Sequence, residues 1–296
     1  MNWKTSKMSF KPHMRFQHPS RGPARIASGI LPLFLLAAPL HAFPPAPFYT
    51  VFGDVKDSYG QRLPAEGCSV ILYQNGREVL RQSMTASGGG YQLRMRIDMF
   101  RAATSAYSSA ALKTGSDYSL SVSVNGLLYQ PIEMKTTAKV GSAADRRRLD
   151  LTLGVDSDGD GLPDAWEESQ LYEAGNLPGL DGWDLSLVDR NGDLDRDGVS
   201  NWNEYLAGTG AGDPQSRLSL EIKEITPSGA RLEFYALYGR IYGLESSTDL
   251  QHWNTAEFTP AGASATTRAY QADTSGIIHL FTPQAGPKTY YRLSVR

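Results

Sequence analysis

The 296-residue chain has little of what most enzymes use for chemistry. It contains one cysteine, Cys68, so no disulfide can form within these 296 residues. Cys68 lies in the apolar stretch GCSVILY, which favours a buried small residue over a nucleophile. After residue 42 the only histidines are His252 and His279. Neither belongs to a cluster with zinc spacing, and the chain has no G-x-S-x-G motif, so we expect a protein that is not an enzyme.

The chain also has no apolar run of the roughly 20 residues that a membrane-spanning helix needs. Its longest one, IASGILPLFLLAAPLHA, is interrupted by Pro32 and Pro39 and follows a stretch with six basic residues and no acidic one. This order predicts a signal peptide over residues 1–42, cleaved after Ala42; a membrane anchor is the alternative. We therefore expect a secreted, cell-surface or periplasmic protein without a transmembrane segment after signal removal.

Excess basic charge is missing as well, and this argues against a nucleic-acid partner. Residues 43–296 hold 23 basic and 31 acidic residues, whereas a nucleic acid requires a positive binding face. The acidic residues are concentrated in residues 155–213, where eleven aspartates and four glutamates accompany two arginines. The acidity is therefore a local feature that needs its own explanation.

Strand patterns fill the chain on both sides of this acidic segment. Residues 43–154 contain alternating and β-branched stretches separated by glycine- and asparagine-rich turns, and Asn75-Gly76 predicts a hairpin. We predict an antiparallel β-sandwich there, in which DMFRAATSAYSSAALKTG forms a short helix or a long crossover and DRRRLDL carries solvated arginines. Similar strand patterns over residues 214–296 predict a second, smaller β-domain. The predicted fold class is mainly β: two antiparallel β-sandwich-like domains joined by a small loop-helix module at 155–213.

Two stretches of the acidic segment share one pattern: DSDGDGLPDAWE at 156–167 and DLDRDGVSNWNE at 193–204. Calcium takes about six to eight oxygen ligands, and a twelve-residue loop supplies them from positions 1, 3, 5, 7, 9 and 12, with glycine at position 6. Two copies in one register therefore predict two calcium ions. The predicted ligands of the first are Asp156, Asp158, Asp160, the Leu162 carbonyl, Asp164 and Glu167. Those of the second are Asp193, Asp195, Asp197, the Val199 carbonyl, Asn201 and Glu204.

A short helix is predicted after each loop, with Gly175 and Gly208 as the stops. The stretches before the loops do not predict clear helices, so the pattern is a loop-helix unit and not a full EF-hand. Asp189 and Asn191, in DRNGDLD, allow either a further ion or a solvated turn.

With its EF-hand-like loops, the acidic segment resembles the bacterial thrombospondin type 3 repeat group through DSDGDGLPDAWE and DLDRDGVSNWNEYLAGTGAGDP. This resemblance covers about 60 residues and implies calcium ligation by the loops. Dockerins also pair two such loops, but they typically close with aspartate where this chain has Glu167 and Glu204. VFGDVKDSYGQRLPAEGCSVILYQNGREV resembles the carboxypeptidase-regulatory-like, or prealbumin-like, β-sandwich. GRIYGLESSTDLQHW resembles C-terminal β-modules of large exported bacterial proteins.

The sequence thus predicts an exported, non-catalytic structural or adhesion protein in which calcium orders the joint between two β-domains. Expected partners are calcium and either a polysaccharide or another surface protein. One alternative is a polysaccharide-binding or dockerin-like assembly module, for which Trp253 and Tyr270 are aromatic candidates, although both fit a core equally well. Another is an accessory part of an extracellular hydrolase system.

Overall fold

Strands dominate the fold, as the alternating sequence patterns predicted. The structure is a computed structural model, and it describes residues 47–84, 90–98, 111–283 and 288–296. The predicted signal peptide and most of the DMFRAATSAYSSAALKTG stretch lie outside these residues. The described residues form seventeen strands, two α-helices and two short 3-10 helices. The mainly β prediction is therefore confirmed.

The N-terminal region consists of two sheets packed face to face. Their strands are β1 (Tyr49–Lys56), β2 (Cys68–Gln74), β3 (Arg77–Ser83), β4 (Gly90–Met95), β5 (Asp117–Val124), β6 (Leu127–Tyr129), β7 (Ala138–Lys139), β8 (Arg146–Arg148) and β9 (Leu151–Thr152). One sheet has the order β4-β1-β8, with β9 also paired to β1; the other has the order β3-β2-β5-β6, with β7 paired to β5. A 3-10 helix at Ile132–Met134 follows β6.

Most of these pairs are antiparallel, but β1 pairs in parallel with both β8 and β9. The antiparallel prediction therefore holds for the sheets in general and fails at this edge. The predicted hairpin is present: β2 and β3 meet at Asn75 and Gly76, both of which have positive φ, as a tight hairpin turn requires. Val51, Leu72, Leu93 and Leu120 are fully buried between the sheets, and Cys68 is buried with them.

The acidic segment folds around a small core of its own. It contains α1 (Asp164–Glu173), a 3-10 helix at Leu185–Val188 and α2 (Asn201–Ala207). Gly175 follows α1 and Gly208 caps α2, both with positive φ, as their positions in the sequence predicted. These helices are too short to be stable alone, so packing must hold them. Their buried contacts come from Leu162, Trp166, Leu171, Val188, Tyr205 and Ala211.

The C-terminal region again consists of two sheets. Its strands are β10 (Glu221–Thr226), β11 (Gly229–Ala236), β12 (Ile241–Ser247), β13 (Asn254–Ala256), β14 (Thr259–Pro260), β15 (Tyr270–Gln271), β16 (Gly276–Pro283) and β17 (Tyr290–Val295). The sheet orders are β10-β11-β16-β14 and β13-β12-β15, with β17 paired to β12. Phe234, Tyr242, Leu244, Phe258 and Leu280 form the centre of the core.

Pro45–Arg296 form one compact unit, so the three regions share contacts. Arg240 is buried and donates a hydrogen bond from Nη2 to the Tyr205 carbonyl, which joins the C-terminal region to α2. None of the helices in the described part of the chain has the length and apolar character needed to cross a membrane.

Candidate metal centre

Two groups of three aspartates lie in the two acidic loops. In the first loop, one carboxylate oxygen from each of Asp156, Asp158 and Asp160 lies within 4.8 Å of the others. In the second loop, Asp193, Asp195 and Asp197 are grouped within the same distance. Like charges held this close repel one another unless a cation or a proton compensates them. Each triad could therefore hold a metal ion, and carboxylate oxygens suit a hard divalent cation such as calcium.

The loops adopt the same conformation because the same positions make the same hydrogen bonds. At position 5, the N–H of Asp160 and of Asp197 donates to the aspartate at position 3, over 3.2 and 3.0 Å. At position 7, the N–H of Leu162 and of Val199 donates to the aspartate at position 5, over 2.7 and 2.8 Å. The donors to position 1 differ: Asp156 accepts from the Gly159 N–H, whereas Asp193 accepts from the N–H groups of Asp197 and Gly198. Repetition of the sequence pattern thus produces repetition of the backbone fold.

Glycine is required at the sixth position of each loop. Gly161 has φ of 95° and Gly198 has φ of 94°, in the region that side-chain-bearing residues avoid. The turn directs the chain from the aspartate triad towards the helix, which begins three residues later in both loops. The first helical turn carries the closing glutamate, which is not part of the aspartate cluster but is close enough for the charges of the triad to act on it.

The closing glutamates are the most unusual groups of the segment. Glu167 is 0% exposed and Glu204 is 1% exposed. Neither carboxylate oxygen of Glu167 has a hydrogen-bond partner among the described residues, and Glu204 Oε2 has none either. The second triad adds a further buried oxygen of this kind, Asp195 Oδ2. A buried carboxylate without a partner costs several kcal/mol, so these groups favour either a bound cation or protonation.

The surroundings of these glutamates oppose their negative charge. Burial, followed by the charges of Asp158 and Asp160, raises the pKa of Glu167 from 4.5 to about 8. Burial, followed by Asp195 and Asp197, raises the pKa of Glu204 to about 8 as well. A divalent cation would reverse this effect, because it attracts the carboxylates that otherwise repel one another. The donor set therefore fits a hard cation in each loop.

The remaining predicted ligands also lie in the loops. At position 9, Asp164 accepts from the Ser157 N–H over 2.7 Å, and Asn201 Oδ1 accepts from the Leu194 N–H over 3.0 Å. These equivalent bonds close each loop between its second and ninth residues. A ligand role for either side chain, directly or through water, stays a prediction. The same is true of the Leu162 and Val199 carbonyls; the Leu162 side chain belongs to the small core.

Arg190 connects the two loops, a role that its sequence context did not signal. Its N–H donates to Asp160 Oδ2 over 2.7 Å, and its carbonyl accepts from the Trp202 N–H over 3.0 Å. Its guanidinium lies 3.3 Å from the centre of the Trp202 ring, a cation–π contact. One residue thus contacts a triad aspartate of the first loop and the first turn of the helix that follows the second.

Asp189 and Asn191 form a turn that supports the second loop. Asp189 Oδ1 accepts from the Asn191 N–H over 2.8 Å, and the Asp189 carbonyl accepts from Asn201 Nδ2 over 2.7 Å. In the part of the chain that the structure describes, neither residue belongs to an aspartate triad. These contacts favour the turn over a third ion.

Two cations from outside the loops also contact the triads. Lys135 Nζ lies 3.0 Å from Asp156 Oδ2 and also donates to the Asp156 carbonyl. Arg217 Nε lies 3.2 Å from Asp197 Oδ2. The side chains of Asp156 and Asp197 are only 2% and 1% exposed. The sequence did not predict either pair, because no local pattern links the two members. Lys135, for example, precedes Asp156 by 21 residues.

No protein-family model matches this chain, and no curated protein sequence matches it either. The class of protein is therefore defined by the structure of the chain itself. It is a mainly β protein with two aspartate triads that could hold metal ions. The resemblances noted in the sequence therefore remain resemblances.

Proposed function

We propose that this is an exported, non-catalytic structural or adhesion protein in which two calcium ions order the joint between two β-domains. The observation that carries the proposal is Glu167, a fully buried carboxylate with two unpartnered oxygens, whose pKa is raised by burial and by the charges of the triad aspartates. A side chain of this kind is costly unless a cation binds it. Glu204, which has one unpartnered oxygen while Oε1 accepts from the Thr209 hydroxyl over 3.3 Å, supports a second ion together with Asp195 Oδ2.

Twelve residues would hold the two ions. Calcium supplies positive charge there and no redox chemistry, and it accepts the irregular oxygen sets that such loops offer. The triad aspartates and the closing glutamate of each loop would be the anionic ligands, and the position-7 carbonyls and position-9 side chains would complete the sets. The first set is Asp156, Asp158, Asp160, Leu162, Asp164 and Glu167, and the second is Asp193, Asp195, Asp197, Val199, Asn201 and Glu204.

A role in the joint is supported by the contacts of the acidic segment with both neighbours. Lys135 of the N-terminal region contacts Asp156, and Arg217, which precedes β10, contacts Asp197. Arg240 of the C-terminal region donates to the Tyr205 carbonyl in α2. Ions that fix the loops would therefore also fix the elements on which the two β-regions rest.

A non-catalytic role is in keeping with the surroundings of the two histidines. His252 Nδ1 lies 2.7 Å from Asp249 Oδ2, and His279 Nδ1 lies 3.1 Å from Glu233 Oε2. Both imidazoles are largely exposed. An exposed imidazole paired with a surface carboxylate needs no catalytic role to explain it, and such pairs contribute little to stability.

Calcium titration of the purified protein tests the proposal. At a hundredfold excess over Kd, each site should add on the order of 3 kcal/mol to the free energy of unfolding, which raises Tm by about 10 °C for two sites. Because extracellular loops bind at about 10⁻⁴ to 10⁻³ M, the titration must extend to about 10 mM calcium. Magnesium, which prefers a smaller octahedral site, is the control ion. An unchanged Tm after chelation, or equal shifts with both ions, would contradict the proposal.

The export part is tested separately by the mature N-terminus. The protein recovered from the culture fluid, the cell surface or the periplasm should begin at Phe43. A protein retained in the cytoplasm with residues 1–42 intact would show that export is wrong, without affecting the calcium sites.

A further inference from the structure

The outward face of the β4-β1-β8 sheet carries a group of arginines. Thr50 of β1 is paired with Arg94 on one side and Arg146 on the other, and the next outward residue, Phe52, is paired with Arg148. Paired residues share one face of a sheet, and successive residues of a strand alternate between faces. These arginines therefore lie on the face opposite Val51, which is buried in the core.

This face forms one wall of a cleft of about 440 Å³. Phe52, Arg94, Arg146 and Arg148 are among the residues that line it. Ile241 and Gln271 of the C-terminal region line the cleft as well. The volume falls in the range of about 300–1,000 Å³ that is typical of small-ligand sites.

The arginines of the cleft differ in how their charge is balanced. Asp54, which is buried, lies 2.7 Å from Arg62 and 2.8 Å from Arg148, and Arg148 also contacts Asp150 at 3.0 Å. Arg62 and Arg148 are therefore compensated from within the protein, and their ion pairs hold the wall rigid.

Arg94 and Arg146 are exposed, and within the described ranges of the chain neither has a carboxylate at ion-pair distance. Their guanidinium groups lie instead over aromatic rings, Arg94 at 4.3 Å from the Phe48 ring centre and Arg146 at 5.1 Å from that of Phe52. A guanidinium that stacks on a ring keeps its edge N–H donors free and pre-ordered, and those donors match a carboxylate in bidentate geometry. The cleft is thus ready to bind an anion.

We propose that this cleft binds a carboxylate-bearing saccharide. Arg94 and Arg146 would bind the carboxylates, and Gln92 and Gln271 would exchange hydrogen bonds with hydroxyl groups. The exposed part of the Phe52 ring offers apolar area for the C–H face of a sugar ring. A uronate unit combines these three groups in one residue of small-ligand size. A long polyanion such as duplex DNA is disfavoured, because residues 43–296 carry more acidic than basic residues outside this local patch.

Calorimetric titration with trigalacturonate tests the proposal, using the full protein with saturating calcium in both cell and syringe. Calcium keeps the acidic segment loaded, so a failure here is independent of the calcium sites. Trigalacturonate should release binding heat, its fully methyl-esterified form should not, and affinity should fall several-fold between 50 and 500 mM salt. Equal binding of the ester, or no heat from trigalacturonate, would overturn the proposal. Equal or tighter binding of triglutamate, or of a DNA duplex, would overturn the saccharide in favour of that ligand.

Variants identify the site. The double variant Arg94→Gln/Arg146→Gln should lose at least tenfold in affinity for trigalacturonate while Tm stays unchanged, because both side chains are exposed. Arg147→Gln is the matched control: Arg147 lies in the same strand and is also exposed, but it pairs with Val51 on the opposite face. The control removes one charge and the double variant two, so equal losses of binding free energy per charge removed would show that binding depends on overall charge and not on this cleft.

Discussion

Replacing Glu167 by glutamine should change the stability of the protein in opposite directions with and without calcium. With calcium, the substitution removes a carboxylate that we propose as a ligand, so we expect weaker binding and a lower Tm. Without a cation and at alkaline pH, it removes a carboxylate that is ionised in a buried position and repelled by the triad aspartates. Glutamine has nearly the same shape and no charge, so the calcium-free protein should become more stable at alkaline pH.

The magnitude follows from the pKa of Glu167. Burial and the neighbouring aspartates raise this pKa from 4.5 to about 8, and one pKa unit corresponds to about 1.4 kcal/mol. Since the folded-state pKa lies above the unfolded-state value, the contribution of Glu167 to the stability of the calcium-free protein is fully present below pH 4.5 and is lost as the pH rises to about 8. The full loss is at most roughly 5 kcal/mol, and structural relaxation should reduce it to on the order of 2–3 kcal/mol.

Urea unfolding at pH 5 and pH 8.5, in chelator and in 10 mM calcium, measures all four conditions. In chelator, Glu167→Gln should match the parent protein at pH 5 and exceed it by about 2–3 kcal/mol at pH 8.5. In calcium it should be less stable at both values. Glu168→Gln is the control, because Glu168 is adjacent but exposed. A variant that is less stable than the parent in chelator at pH 8.5 would refute the reasoning, since the carboxylate would then be stabilising without a cation.

Two further substitutions test the packing around the sites. Asp54→Asn should lower the free energy of unfolding by about 2–4 kcal/mol in a denaturant titration, because it weakens the buried ion pair with Arg62, which is 6% exposed. The control is Asp117→Asn, in an exposed pair with Lys139, which should have little effect. Equal losses in the two variants would contradict the role of burial. Gly198→Ala should lower the free energy of unfolding by about 1–2 kcal/mol and weaken calcium binding at the second loop only. No atom lies within 4 Å of the added methyl group, so this cost comes from the backbone, whose φ is 94°. Gly179→Ala, where there is also room, is the control and should be close to neutral; a neutral Gly198→Ala would show that the loop can change its turn.

Local patterns predicted local structure well. Asn75-Gly76 predicted a hairpin turn and both residues have positive φ, and the loop pattern predicted two aspartate triads that the structure brings together. These features depend on residues a few positions apart, where spacing alone fixes the geometry.

Contacts between distant residues could not be predicted in this way. The parallel pairing of β1 with β8 joins residues almost a hundred positions apart, and it converts arginines that looked merely solvated into the wall of a cleft. The Lys135–Asp156 pair is of the same kind, because no local periodicity relates its members. From a single sequence, one can predict which side chains alternate along a strand, but not which other strand will pair with that strand.

The pairs of Asp156 with Lys135 and of Asp197 with Arg217 also bear on how the chain can be divided experimentally. The acidic segment, cut out at the borders that composition suggests, would lose both of these counter-charges and Arg240, which donates to the Tyr205 carbonyl. Such an excised peptide would be more acidic and less ordered than the same residues in the intact chain. A fragment meant to retain the native surroundings of the two triads should therefore begin before Lys135 and extend beyond Arg240.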